Sequence, residues 1–135
     1  MPALSLRQPV VRIATGCLIV FLTVLIVSVV RATDSEQIKQ GAALFQEYCI
    51  VCHGENGQGG AGYANPIWGK SAQIRKFKNA QGLFEYHQLL MPFNDPSLLD
   101  EEQKWAVTAF LLVKHEVLKG EETLEPAKAA QLAIP

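Results

Sequence analysis

The segment CIVCH, residues 49–53, constrains this chain more than any other feature of its 135 residues. Two cysteines are separated by two residues, and a histidine directly follows the second cysteine. Upstream, the apolar residues Ile38, Phe45 and Cys49 belong to a series spaced by three and four positions, which predicts one face of a helix. The two thiols are therefore expected one helical turn apart, just before a glycine-rich loop over residues 54–78.

Three kinds of site use two cysteines at this spacing. A zinc site needs four protein ligands, or three and a water, and the sequence offers no second cysteine pair. A redox dithiol is expected after a strand, at the start of a helix, whereas this motif ends a helix. Covalent attachment of a haem needs only residues that this segment contains, because Cys49 and Cys52 can add to the two porphyrin vinyl groups and His53 can bind the iron. The motif therefore favours one covalently bound haem c.

The second iron ligand is predicted to be Met91, which follows a predicted helix in the segment LLMPFND. A thioether suits haem iron and raises its reduction potential relative to two imidazoles. His87 and His115 are the competing candidates. His87 is expected at the surface or beside a haem propionate, and His115 on the polar side of the last helix. The pattern therefore favours Met91.

A histidine that binds a metal normally donates its other ring hydrogen to a fixed acceptor. Pro66, in the segment NPIWG, is the best candidate to place a backbone carbonyl beside His53. Pro66 is therefore included among the predicted cofactor-binding residues.

Helix-capping patterns predict three main helices. Thr33 marks the start of the first helix, and Asn79 can cap a second helix that runs through QGLFEYHQLL. Asp100 with Gln103 three residues later predicts the start of a last helix that ends near Val117. No segment is a convincing strand, so the fold class is predicted to be all-α.

Residues 33–118 are expected to form this helical domain. A core of that size is marginal without a stabilising crosslink or cofactor, and a large apolar cofactor held by covalent bonds would supply one. Residues 119–135 form a C-terminal tail that is acidic and then alanine-rich. We expect the tail to contact a partner or to stay mobile.

An apolar run of 18 residues without a charge covers residues 13–30. As a helix it would be about 27 Å long, close to the roughly 30 Å of a bilayer core. This length favours a retained transmembrane anchor over residues 13–31, preceded by a cytoplasmic segment 1–12. The small residue Ala32 leaves open that the run is a removed signal, although signals usually have a shorter apolar region. Cys17, inside the run, is expected to face lipid or a neighbouring helix.

Composition excludes some functions. The formal net charge is −1, so nothing suggests a nucleic-acid partner, and three cysteines do not form a disulfide framework. Between Glu55 and Glu85 the only charged residues are basic. This basic stretch is expected to contact haem propionates, an acidic partner or only solvent. Its members are Lys70, Arg75, Lys76 and Lys78.

Four segments together resemble the class I, small mono-haem cytochrome c family. GAALFQEYCIVCHGENGQGG is similar to its first helix and haem-binding motif, and NPIWG to its proline segment. LLMP is similar to its axial-methionine segment, and LLDEEQKWAVTAFLL to its last helix. The resemblance covers residues 34 to about 114.

The resemblance implies a small all-α fold around one haem c, here preceded by an N-terminal transmembrane helix. It also implies that Gly41 and Phe45 of the first helix cross the last helix near Phe110. The implied site residues are two thioether-forming cysteines and two axial ligands, namely Cys49, Cys52, His53 and Met91.

Haem attachment in this family takes place outside the cytoplasmic membrane, so the haem domain is expected on the periplasmic side of the cell membrane. The implied function is single-electron transfer by a carrier, not an enzyme, that works with other redox subunits of a complex or with a small soluble electron carrier. Similar membrane-anchored subunits occur in quinol-oxidising respiratory or photosynthetic complexes, for example alternative complex III. The alternatives are a soluble periplasmic cytochrome after signal cleavage and a ligand-binding or peroxidase-like haem protein.

Overall fold

Four α-helices organise residues 34–135, the part of the chain that the computed structural model describes. They are α1 (Glu36–Tyr48), α2 (Ile50–His53), α3 (Ala80–Leu90) and α4 (Glu101–Lys114). Short 3₁₀ helices cover Ile74–Phe77, Pro96–Leu98 and Pro126–Lys128. An isolated antiparallel bridge joins Asn79 and Ala133.

The predicted segment 1–12, the anchor over residues 13–31, Cys17 and the capping residue Thr33 lie outside the described residues. Among residues 34–135, none of the helices combines the length and the apolar character that crossing a membrane requires.

Local capping starts α3 and α4 where the sequence predicts. The Asn79 side-chain oxygen accepts a hydrogen bond from the Gly82 amide at 2.9 Å. Asp100 and Gln103 form a reciprocal capping box, with side-chain to backbone distances of 2.8 and 2.9 Å. Each cap satisfies backbone donors that the first helical turn leaves unpaired.

Two helix boundaries differ from the predictions. Helix α1 is capped by Ser35, whose hydroxyl accepts from the Ile38 amide at 3.4 Å. Helix α4 ends at Lys114 instead of near Val117. The chain leaves the helix there because Glu116 adopts a left-handed backbone conformation, with φ of 58°.

Helix α1 crosses α4 at a glycine, as the family resemblance implies. A methyl group at Gly41 would lie 2.6 Å from the carbonyl carbon of Ala106 and 2.9 Å from Cβ of Phe110. The Phe45 and Phe110 rings, with centroids 5.6 Å apart, continue the contact, and Trp68 lies 5.1 Å from Phe45. Because glycine has no side chain, the two helix backbones approach closely and the aromatic rings pack beside the crossing.

Helix α3 packs on α4 from another side. The rings of Phe84 and Trp105 are stacked, with centroids 3.6 Å apart and planes 3° apart. The Lys104 ammonium donates to the Gln88 carbonyl at 3.2 Å, near the C-terminal end of α3 where carbonyl groups lack helical partners. These contacts hold the end of α3, and hence Met91, against α4.

Residues 119–135 pack on the domain, which differs from the expectation of a tail that is mobile or bound to a partner. Leu124, Ala129 and Ile134 are buried in the same core as the helices. The Leu124 amide donates to the Gln37 side chain at 2.8 Å, and the Ile134 amide donates to the Lys78 carbonyl at 2.8 Å. The tail therefore ties the start of α1 to the start of α3.

Candidate functional site

A cavity of about 550 Å³ opens between the helices and the loop that follows α2. Its size falls in the range of small-molecule and cofactor sites, and its wall is largely apolar. All five residues that the sequence predicts for cofactor binding line this cavity. They are Cys49, Cys52, His53, Pro66 and Met91.

The CIVCH motif forms a tight turn on the cavity wall. Cys49 ends α1, donating its amide hydrogen to the Phe45 carbonyl, and its own carbonyl accepts from the His53 amide at 2.9 Å. The short helix α2 then carries Cys52 and His53. Both cysteines are free thiols, so neither is consumed in a disulfide. The turn brings two thiols and one imidazole to a single apolar surface.

Burial keeps the Cys49 thiol protonated and makes it a poor nucleophile. Loss of solvent, followed by the neighbouring Cys52, raises the pKa of Cys49 to about 12. A redox-active cysteine needs a lowered pKa, because the thiolate is the nucleophile. The raised pKa therefore does not favour the redox dithiol.

His53 has the environment of an unsatisfied ligand. Burial lowers the pKa of its imidazole, so the ring is neutral, as a metal-binding histidine must be. The ring of Tyr63 packs edge-on against it with centroids 5.3 Å apart. Its Nδ1 is buried and has no hydrogen-bond partner among residues 34–135. The hydrogen bond predicted from His53 to a carbonyl beside Pro66 is therefore not formed, although Pro66 lines the same cavity.

Helix α3 positions Met91. The residue ends this helix, and its amide donates to the His87 carbonyl at 3.1 Å. Met91 is half-buried, whereas the nearby Phe93 is 80% exposed. The thioether thus reaches the cavity from the rim, at the end of a helix whose orientation α4 fixes.

The loop wall opposite the helices depends on a glycine. Gly57 has φ of 61°, and a methyl group there would lie 2.6 Å from atoms of the Trp68 ring. Its carbonyl accepts from the Ile67 amide at 2.8 Å. The glycine therefore allows the segment that contains Pro66 to fold back over the CIVCH turn.

Two histidines make contacts that the sequence analysis did not predict. His87, expected at the surface or beside a haem propionate, is only 6% exposed, lines the cavity and bonds to Thr108 at 2.8 Å. His115, expected to be a simple polar residue, bonds through Nε2 to the Ile67 carbonyl at 2.8 Å. Only the spacing of four residues between His87 and Met91, which places both on one helix face, could have indicated the first. No local signal indicates the second.

These residues fit a haem that is attached to the chain through two thioether bonds and whose iron is bound by protein side chains. The cavity unites two free thiols, a neutral imidazole and a thioether on a largely apolar wall. Its orphaned ring nitrogen, Nδ1 of His53, belongs to the residue that directly follows the second thiol. No group of three or more ionisable ligands suited to a bare metal ion occurs among residues 34–135.

Comparison with known proteins places most of this domain in one family. The family described as "Cytochrome C oxidase, cbb3-type, subunit III" matches residues 36–111. The matched region runs from the first residue of α1 nearly to the end of α4. It therefore includes every predicted cofactor-binding residue.

Individual relatives agree with this assignment. The thiosulfate dehydrogenase of Stutzerimonas stutzeri is 31% identical over 83 residues, which cover 55% of this chain and 26% of the relative. The thiosulfate dehydrogenase of Allochromatium vinosum is 30% identical over 93 residues, covering 62% of this chain and 33% of the relative. The chain thus spans a third or less of the length of these curated relatives.

A solved structure has a similar fold. The crystal structure of the sulfane dehydrogenase SoxCD from Paracoccus pantotrophus contains a chain that superposes with a TM-score of 0.63. The match covers 76% of this chain and 54% of the other, at 23% identity. It supports the helical fold of residues 34–135.

Proposed function

Because the chain belongs to the family described as "Cytochrome C oxidase, cbb3-type, subunit III", we propose that it is a membrane-anchored electron-transfer subunit with His53 and Met91 as iron ligands. As a member of this family, the chain is a c-type cytochrome domain that carries a covalently bound haem c. The anchor, the axial ligands and the place in a complex are the parts that we propose.

The observation that supports the proposed ligands is the single cavity lined by Cys49, Cys52, His53 and Met91. When bound, haem c supplies a one-electron couple at its iron. The two cysteines would hold the porphyrin, and the imidazole and the thioether would hold the iron. With two protein groups bound to the iron, the chain would set the potential through its ligands and through burial in an apolar wall.

An absorption spectrum and a haem stain test the ligand set. We expect the oxidised protein to show the weak band near the red edge that marks iron–thioether bonding. The band should be absent in Met91→Ala, and haem should survive a denaturing gel unless Cys49 and Cys52 are both replaced by alanine. Five-coordinate, high-spin iron in the purified wild-type protein would contradict the proposed ligands and favour the ligand-binding or peroxidase-like alternative.

The proposed anchor rests on the length of the apolar run over residues 13–30. The chain would then cross the cell membrane once, with the haem domain on the periplasmic side. The full chain should fractionate with membranes and leave them only in detergent. The mass of the mature protein distinguishes the two possibilities, because removal of residues before the domain would support a soluble periplasmic cytochrome instead.

The proposed partners are redox proteins of a multi-subunit complex or a small soluble electron carrier. The exposed apolar side chains Leu89 and Phe93, 73% and 80% exposed, flank Met91 in the sequence and could contact such a partner. Purification from membranes in mild detergent, followed by identification of the proteins that co-migrate, tests this. A protein that migrates alone under those conditions would favour a soluble carrier as its partner.

A second candidate function is the oxidation of thiosulfate, because two relatives are named thiosulfate dehydrogenases. The chain covers a third or less of their length, so we propose that it carries electrons and does not itself oxidise a sulfur compound. Adding thiosulfate to the oxidised, purified protein decides between the two. We expect no catalytic reduction of the haem, and rapid reduction that increases with protein concentration would assign the activity to this chain.

A further inference from the structure

The imidazole of His87 is a buried group that the proposed ligand set does not use. Its side chain belongs to α3, is 6% exposed and lines the same cavity as His53 and Met91. One ring nitrogen, Nδ1, lies 2.8 Å from the Thr108 hydroxyl. That hydrogen bond uses Nδ1, and the other ring nitrogen, Nε2, has no function in the proposed ligand set.

The hydrogen bonds of Thr108 determine which nitrogen of His87 carries the hydrogen. The Thr108 hydroxyl lies 2.8 Å from the Lys104 carbonyl oxygen, and a carbonyl can only accept. With that hydroxyl hydrogen directed to the Lys104 carbonyl, the oxygen of Thr108 accepts from His87. In this arrangement Nδ1 of His87 is the donor and Nε2 keeps its lone pair.

The lone pair on Nε2 is free to bind a ligand. Within residues 34–135, the one hydrogen bond of the His87 ring is the contact between Nδ1 and Thr108.

We propose that His87 is a second ligand residue for the haem iron, and that its Nε2 binds the iron in place of the Met91 sulfur. The inference rests on the proposed function, since it concerns the same iron. His87 and Met91 lie four residues apart, the Met91 amide donates to the His87 carbonyl at 3.1 Å, and both residues line the cavity.

The surroundings of His87 match those of a metal-bound histidine. Such a residue normally donates its Nδ1 hydrogen to a fixed acceptor, which orients the ring. Thr108 is fully buried on α4 and supplies that acceptor, whereas Nδ1 of His53 has no partner within the described residues. The imidazole of His87 is therefore already oriented before any ligand exchange.

Exchange from Met91 to His87 would change the redox properties without changing the number of iron ligands. A thioether raises the reduction potential relative to a second imidazole. The chain therefore has two possible ligand states, and the His87 state has the lower potential. Exchange of ligands requires no oxidant or reductant, since both groups bind through lone pairs.

The test uses the full chain, purified with its haem, and replaces Met91 by alanine. We expect Met91→Ala to lose the thioether band and to keep six-coordinate, low-spin iron with two nitrogen ligands in electron paramagnetic resonance spectra. Its potential should shift below that of the wild type. The double variant Met91→Ala/His87→Leu should become high-spin, whereas His87→Leu alone should keep the thioether band.

Lys104 supplies the matched control, because it is another buried side chain on the cavity wall that carries a nitrogen group. Met91→Ala/Lys104→Leu should stay low-spin, since the Lys104 ammonium is bonded to the Gln88 carbonyl. If Met91→Ala does not accumulate with haem, Met91→Leu, which nearly keeps the side-chain volume, carries the same expectations.

High-spin iron in Met91→Ala, or low-spin iron that persists after His87 is also replaced, would overturn the inference. Failure of the proposed function is a separate result, because it would appear in the wild-type protein as the absence of the thioether band. A wild type with that band and a high-spin Met91→Ala would overturn only the role of His87.

Discussion

Nε2 of His115 lies 2.8 Å from the carbonyl oxygen of Ile67 and joins the end of α4 to the loop wall of the cavity. Because the carbonyl accepts, the imidazole donates through Nε2. The amide of Ile67 is bonded to the Gly57 carbonyl at 2.8 Å, so both backbone groups of Ile67 have partners. The residue next to Pro66 is thus held from two sides.

Replacing His115 by alanine should lower the free energy of unfolding by about 1 kcal/mol, the usual net contribution of one hydrogen bond. Urea titration of the holoprotein, followed by far-ultraviolet circular dichroism, measures the change. Glu121→Gln, at an exposed position outside the cavity wall, is the matched control and should change stability little. Equal stability of the two variants would show that the hydrogen bond from His115 to Ile67 does not stabilise the loop wall.

Replacing Gly41 by alanine should destabilise the domain by about 1–3 kcal/mol, the typical cost of overpacking a tight contact. The added methyl group would meet the Ala106 backbone and lie 2.9 Å from Cβ of Phe110, so α1 and α4 would have to separate. The same urea titration tests this. Gln40→Ala, on the exposed side of the same helix, should stay within about 0.5 kcal/mol of the wild type. A stabilised Gly41→Ala, as helix propensity alone would give, would contradict the close crossing.

Replacing Ile134 by alanine should cost about 2–5 kcal/mol, as for other large apolar side chains buried in a core. Ile134 is 7% exposed, although it is the second residue from the C-terminus. Thermal or urea unfolding measures the loss, with Pro135→Ala as the exposed control. A loss below about 0.5 kcal/mol would show that the tail does not contribute to the core in solution.

Reversing the charges of Lys76 and Lys78 to glutamate should slow electron transfer mainly at low salt, if the basic stretch steers an acidic partner. Lys76 lines the cavity, and its ammonium lies 4.9 Å from the centre of the Phe77 ring, so this charge is held close to the haem site. Stopped-flow rates with an acidic redox partner, measured over a range of ionic strengths, test the expectation.

The control for this experiment carries the same change in charge outside the basic stretch. Lys119→Glu with Lys128→Glu should leave the salt dependence close to that of the wild type, because neither residue lines the cavity. Equal rates for both double variants at every ionic strength would exclude steering by the basic stretch.

Local sequence patterns determined the parts of this protein that depend on neighbours within one helical turn. Asn79 and the pair Asp100 and Gln103 cap helices through contacts three residues apart, so their spacing alone predicts the helix starts. The CIVCH motif likewise brings its two thiols together through one turn of chain. These features were predicted because they involve only short-range geometry.

Tertiary packing determined the contacts that the local sequence did not predict. Whether His87 faces solvent or the cavity depends on where α3 meets α4, and His115 reaches Ile67 across a separation of 48 residues. The tail is buried because the starts of α1 and α3 lie within its reach and pair with its backbone. Such contacts join segments that are distant in the sequence, so the residues around either partner do not predict them. Their free energy is gained only once the helices have packed.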